Sequence, residues 1–148
     1  MTDHVIDSER VHHKWDNTLE PALVIEAGDT VSFELPMAGR GQVERGHGFD
    51  RTSFDEDTVY NLVGPVFVDG AKPGDTLEVE ILRLSPGEWA WCGIFPGEGL
   101  LPEDFPEPYL KTFELGDGSR ADLAPGVQIP LEPFLGTMGT HPEAARLV

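Results

Sequence analysis

Gly64-Pro65-Val66-Phe67-Val68-Asp69-Gly70-Ala71-Lys72-Pro73-Gly74-Asp75-Thr76-Leu77-Glu78-Val79-Glu80-Ile81-Leu82 decides how this chain is read. Val66 to Val68 are strand formers. Pro73 and Gly74 then occupy the two central positions of a type II turn, where proline presets φ and glycine takes positive φ without a steric penalty. Beyond the turn, Leu77, Val79 and Ile81 alternate with Glu78 and Glu80, the period of a half-buried strand. The three apolar residues are therefore expected to enter the core. After Ile81 the pattern slips to Leu82 and Leu84, which predicts a bulge or burial on both faces. Strand, tight turn, strand is the reading.

The same solution occurs upstream. Gly28-Asp29-Thr30-Val31-Ser32-Phe33-Glu34-Leu35 matches Gly74-Asp75-Thr76-Leu77-Glu78-Val79-Glu80-Ile81 position by position. A single pair is read as a recurring turn-into-strand solution rather than a duplication. Further strands are predicted over Leu62–Val68, Trp89–Phe95, Tyr109–Leu115 and Val127–Leu131, with Pro65 and Pro130 assigned to edges or strand starts. Seventeen glycines and thirteen prolines leave little room for long helices. Only the segment from Pro142 to Leu147 has the composition to begin a short helix. The polar, aperiodic stretch Gly39 to Asp57 reads as a long loop, and Pro102 to Pro108 as a second irregular one. The predicted fold class is mainly β: a single β-sandwich or open-barrel domain spanning residues 1–148, with long irregular loops.

Bulk properties exclude several function classes. Twenty-seven acids against ten bases give a formal charge of −17, a surface that repels nucleic-acid backbones. It is read either as an ordinary solvated acidic surface or as an adaptation to high salt, where counterions screen self-repulsion. No apolar run approaches the roughly 20 residues that cross a bilayer. Met1-Thr2-Asp3-His4 is acidic and polar where a secretory leader is basic and then apolar, so a soluble cytoplasmic protein is expected. The single cysteine, Cys92, lies in the apolar run Trp89 to Phe95. It is expected to be a small buried hydrophobe rather than a nucleophile.

Few side-chain groupings carry chemistry. His12-His13-Lys14-Trp15-Asp16-Asn17 places imidazole and carboxylate close enough to bind a metal or share a proton. On a strand His12 and His13 point apart, so one at most faces a given site. The plain alternative is a polar segment with Trp15 tucked into the core. His47, Asp50 and Asp55-Glu56-Asp57 bring a histidine and several acids into the long loop, in a pattern that is not an EF-hand. Pro96-Gly97-Glu98-Gly99-Leu100-Leu101 is a turn whose backbone a small ligand can approach closely. Trp15, Trp89 and Trp91 are read as core rather than sugar platforms. No G-x-S-x-G elbow is present.

Taken together, several segments resemble the acetamidase/formamidase family. Gly64 to Asp75 resembles its G-P-[IV]-x-[VI]-x-G-A-x-P-G-D signature. His12 to Asn17, followed by Glu20-Pro21 and Gly28-Asp29, resembles its H-x-x-W-D-N opening. Pro96 to Leu101 resembles P-G-x-G-x-L, and Pro130 to Gly139 resembles I-P-L-x-P-x-x-G-x-[MI]-G. His141 stands where the family more often has a small residue.

The resemblance implies hydrolysis of small linear amides such as formamide and acetamide, a mostly β oligomeric protein, and a divalent metal, zinc by family association. Later family motifs, H-G-G-N-x-D and G-D-x-H-A-x-x-G-D-G-E, do not occur here, so the chain is expected to be the N-terminal half. The main metal ligands are expected in the C-terminal half, and a partner is expected, either that half or further copies in a homo-oligomer. In this reading Asp16 and Asp57 are the catalytic candidates. His12 and Asp50 are the metal candidates, and Gly97, Glu98 and Gly99 form a substrate loop. Asp75 is expected to hold its turn. The alternative is a non-catalytic binding or assembly module, with apolar surface exposed around Phe134 and Met138.

Overall fold

In the computed structural model the described residues are 1–46, 54–142 and the strand residues 146–147. Nearly all regular structure is strand, so the chain is mainly β. The strands pair two by two, and no sheet among the described residues closes into a barrel. The chain forms two compact units, one from Met1–Arg40, Asp55–Glu80 and Met138–Val148, the other from Gly41–Phe54 and Ile81–Thr137.

The first unit contains β1 (Asp3–Ile6), β2 (Val11–His12), β3 (Lys14–Trp15), β4 (Leu23–Ile25), β5 (Thr30–Phe33), β6 (Leu62–Val63) and β7 (Val66–Val68). β1 runs parallel to β5, with Asp3 opposite Thr30 and Ile6 opposite Phe33. β4 runs parallel to β7, with Leu23 opposite Val66 and Ile25 opposite Val68. β2 pairs antiparallel with β6. Ile6 and Leu62 are the buried apolar residues of this unit.

The turns form as their sequence dictates. Asp29 N–H donates to the Glu26 carbonyl at 3.2 Å and Asp75 N–H to the Lys72 carbonyl at 3.0 Å. Gly28 and Gly74 hold φ of 92° and 99°, values that an L side chain rarely adopts. Each aspartate also closes its own turn. An Asp29 carboxylate oxygen accepts from Glu26 N–H at 3.3 Å, and Asp75 accepts from Lys72 N–H at 2.9 Å.

The expected second arm of the opening stretch departs from the reading. Thr76 to Leu82 belongs to no strand pair. Leu77, Val79 and Ile81 are not in the core but 49%, 50% and 46% exposed. Alternation marks a strand only when a neighbour takes its backbone hydrogen bonds, and no described segment does so here. For the same reason the slip to Leu82 makes no bulge. The register shift that does occur lies between Asp122 and Ala124. Arg146–Leu147, expected within a helix start, instead form β12 and pair antiparallel with β3.

The second unit holds two antiparallel hairpins. β8 (Trp89–Ile94) pairs with β9 (Tyr109–Glu114), Cys92 opposite Lys111. β10 (Arg120–Ala124) pairs with β11 (Val127–Pro130). Leu115 and Ala121 are its buried apolar residues. Phe54 packs on Trp91 and Phe95, ring centroids 6.3 and 5.4 Å away. Gly93 leaves room for those rings, since a Cβ there would lie 3.1 Å from Phe95 and 3.3 Å from Trp91. Cys92 is exposed, not buried. A hairpin two strands wide shields one face only, and Cys92 alternates out of the face that carries Trp91 and Gly93.

Candidate functional site around His12

β2 ends at His12, and the chain bends at His13 before β3. The two imidazoles are thereby separated. His13 hydrogen-bonds through Nδ1 to the Tyr60 carbonyl at 2.9 Å. His12 turns inward, and both its ring nitrogens are shielded from solvent without a hydrogen-bond partner among the described residues. Burial lowers its pKa first, with smaller contributions from His141 and His13. The ring is therefore neutral at pH 7 and keeps one lone pair free, the form in which imidazole ligates metals.

Two further rings close this site. His141 meets His12 edge-on at 5.4 Å and Trp15 at 5.8 Å, centroid to centroid. Gly139 lies against Trp15, where a Cβ would come within 3.4 Å of the indole. The segment Gly139 to His141 thus packs across β2 and β3, from more than a hundred residues away in sequence. Local spacing carries no signal for this contact. The one mark that His141 bears in the sequence is its departure from the family's small residue.

Asp16 begins the turn after β3. One carboxylate oxygen accepts from Thr18 N–H at 2.9 Å and from the Thr18 hydroxyl at 2.7 Å. These bonds, hydroxyl first, lower its pKa, and His141 adds to the effect. A carboxylate so held stays ionised and is a weak base. Asp57 lies in the 3-10 turn Glu56–Thr58, exposed, its N–H donated to Asp55. Asp50 lies outside the described residues. Gly97, Glu98 and Gly99 form an exposed turn in the second unit, with Glu98 N–H donated to the Phe95 carbonyl at 3.1 Å. Both glycines there have positive φ.

Among the described residues, no three His, Cys, Asp or Glu side chains come together as a metal-ligand group. The first unit also has an open depression of about 360 Å³ lined by Thr2, Val24, Ile25, Glu26, Asp29 and Asp69. None of the residues nominated from sequence lines it. Asp29 is its anchor. Besides Glu26 N–H, it accepts Thr2 N–H at 2.7 Å and the His4 ring at 3.2 Å. These bonds, Thr2 first, lower its pKa.

The acetamidase/formamidase family pattern matches residues 2–147. The chain belongs to the acetamidase/formamidase family. It is 31% identical over 144 residues to a Schizosaccharomyces pombe protein provisionally named a formamidase, covering 92% of this chain and 35% of that protein. It is 29% identical to the acetamidase of Mycolicibacterium smegmatis, covering 88% of this chain and 36% of that one. Among solved structures, the Bacillus halodurans acetamidase superposes with a TM-score of 0.86 at 32% identity, over 93% of this chain and 46% of that chain. A Thermoanaerobacter tengcongensis structure superposes at 0.90 with 23% identity, over 99% and 48%, and speaks for the shared fold alone. The chain thus spans about a third of these curated relatives and just under half of the solved chains.

In this acetamidase/formamidase chain the signature segment forms a strand and a tight turn. Its Gly64–Pro65 peptide is cis. Val66–Val68 is one strand of the parallel pair with Leu23–Ile25, and Asp75 closes a turn, as expected of it.

Proposed function

We propose that this chain is the N-terminal half of a cytoplasmic hydrolase that cleaves the carbon–nitrogen bond of small linear amides, with His12 in one wall of its active site. The observation that carries the reading is His12 itself: a neutral imidazole with both nitrogens unsatisfied, facing His141. A buried polar group without a partner costs about 1–3 kcal/mol, so its retention argues for a ligand.

The donor chemistry fits a divalent metal in part. His12 and His141 would each offer a nitrogen of the kind that zinc takes, and the remaining donors would come from the portion of the family fold that this chain does not span. A bound divalent ion would polarise the amide carbonyl and bring a bound water to hydroxide-like acidity near neutral pH.

The chain's own residues have distinct tasks. His12 presents a lone pair without first losing a proton. Trp15 and Gly139 wall the site and exclude bulk water. Asp16 stays anionic and fixes the turn that carries β3 away. In the net reaction water adds across the C–N bond, its oxygen going to the carbonyl carbon and its protons to the departing ammonia. Asp57, on the 3-10 turn of the same unit, remains the other catalytic candidate.

Ammonia release from formamide and acetamide tests the reading, measured with and without zinc. The chain alone is expected to be silent, and active when joined by the rest of the family fold. Silence of the joined protein on both amides would sink it. Activity of the chain alone would show that the missing portion is dispensable.

A further inference from the structure

We propose that Thr76–Val79 is a docking edge for a parallel β-strand supplied by the portion of the acetamidase/formamidase fold that this chain does not span. The inference rests on the reading of the chain as one half of the enzyme, and it comes from comparing the two turn-and-strand repeats of the first unit.

In the first repeat, β4 passes through Glu26-Ala27-Gly28-Asp29 into β5. The edge of β5 is covered by β1, four residues in parallel register. In the second, β7, the parallel neighbour of β4, passes through Lys72-Pro73-Gly74-Asp75 into Thr76-Leu77-Glu78-Val79. The two turns share the same backbone bond, the same positive-φ glycine and the same aspartate closing its own turn. Both lead into Gly-Asp-Thr followed by alternating apolar residues. The second repeat lacks only the counterpart of β1.

A further observation says that something belongs there. The backbone of Thr76 to Glu80 makes no hydrogen bond to any described residue, and an unpaired edge of alternating apolar residues is a template for strand addition. Its apolar side chains Leu77 and Val79 are 49% and 50% exposed.

The longer relatives name the occupant. The same backbone recurs in solved chains about twice as long, whose remaining residues have surface of their own to bury. A second copy of this chain is a poorer candidate, because its β1 is already engaged on its own β5.

The test mixes this chain with the separately produced part of the Bacillus halodurans acetamidase that it does not match. Binding is followed by calorimetry and sedimentation, and amide exchange is read for peptides covering residues 76–82. A one-to-one complex is expected, with exchange at 76–79 slowed at least about tenfold. The double change Leu77→Lys and Val79→Lys is expected to weaken binding at least about tenfold. Leu100→Lys, at a side chain 99% exposed in the second unit, serves as the control and should not.

No complex, or a complex without protection at 76–79, overturns the proposal. So does self-association that protects this segment, which would make a second copy the occupant. Protection without ammonia release leaves the docking edge standing and removes the amidase reading. Ammonia release without protection does the reverse.

Discussion

Replacing His12 with phenylalanine should stabilise this chain while abolishing the amide hydrolysis proposed for it. The imidazole has two shielded nitrogens and no partner for either among the described residues. In the unfolded chain both are hydrated, so folding strips one donor and one acceptor of water without replacement. A buried group left unsatisfied costs about 1–3 kcal/mol, and an apolar ring of similar outline removes that cost. It also keeps an edge-on contact with His141, whose centroid is 5.4 Å away. The ring is only half-buried, so the extra carbon of phenylalanine has room. A net gain of about 1–3 kcal/mol corresponds to a rise in Tm of about 3–10 °C for a chain of this size.

The measurement is thermal unfolding by circular dichroism well above the ordinary imidazole pKa of about 6.5, where His12 is neutral folded or unfolded. His12→Leu provides a second apolar replacement. Ammonia release, read on the chain joined to the rest of the family fold, should fall at least about a hundredfold. Loss of even an outer-sphere partner of a metal costs 10–100-fold. Lower Tm in both variants, or unchanged activity, would refute the argument that the site retains His12 at the expense of stability.

Three further outcomes follow from particular contacts. Asp29 has a folded pKa below its unfolded value, because Thr2 N–H, His4 and Glu26 N–H stabilise the anion. Its contribution is complete above about pH 4 and is lost as pH falls through the folded value, so Asp29→Asn should flatten the acid limb of Tm against pH. A charge of −17 with few compensating cations should make Tm climb as potassium chloride rises from about 0.1 M to about 1 M and the screening length falls from about 10 Å to about 3 Å. A flat or falling Tm removes the high-salt reading. Gly93→Ala drives a methyl to within 3.1 Å of Phe95 and 3.3 Å of Trp91 and should cost about 1–3 kcal/mol by chemical denaturation, whereas Gly136→Ala meets nothing within 4 Å and should cost little.

Local physics was legible in the sequence wherever its cause was local. The Pro73-Gly74 turn, the closing role of Asp75 and the strands at Val66–Val68 and Trp89–Ile94 all follow from residue types within a few positions. His12 and His13 are separated, but by the bend at His13 rather than by alternation along one strand. The contacts that make the site are not local. His141 reaches His12 across the chain, and no spacing rule announces it. Cys92 sat in an apolar run and still faces solvent, because which face of a hairpin is shielded depends on what else packs there.

The failure at Leu77, Val79 and Ile81 is of another kind. Their alternation is a sound strand signal, and the turn before them forms as read. What the pattern encodes is a neighbour, and a hydrophobic period is written by the whole of a folded protein, whichever part of the chain supplies the other side. A strand pattern that remains half exposed beside a well-formed turn is then itself evidence that the other side lies elsewhere. Phe134 and Met138, 82% and 58% exposed in their respective units, and the exposed cross-strand pair Val24 and Phe67 fit the same account. These residues should lose exposure together when the remainder of the fold is supplied. If they did so while Thr76–Val79 stayed open, the apolar surface would belong to an interface that the unpaired strand does not share.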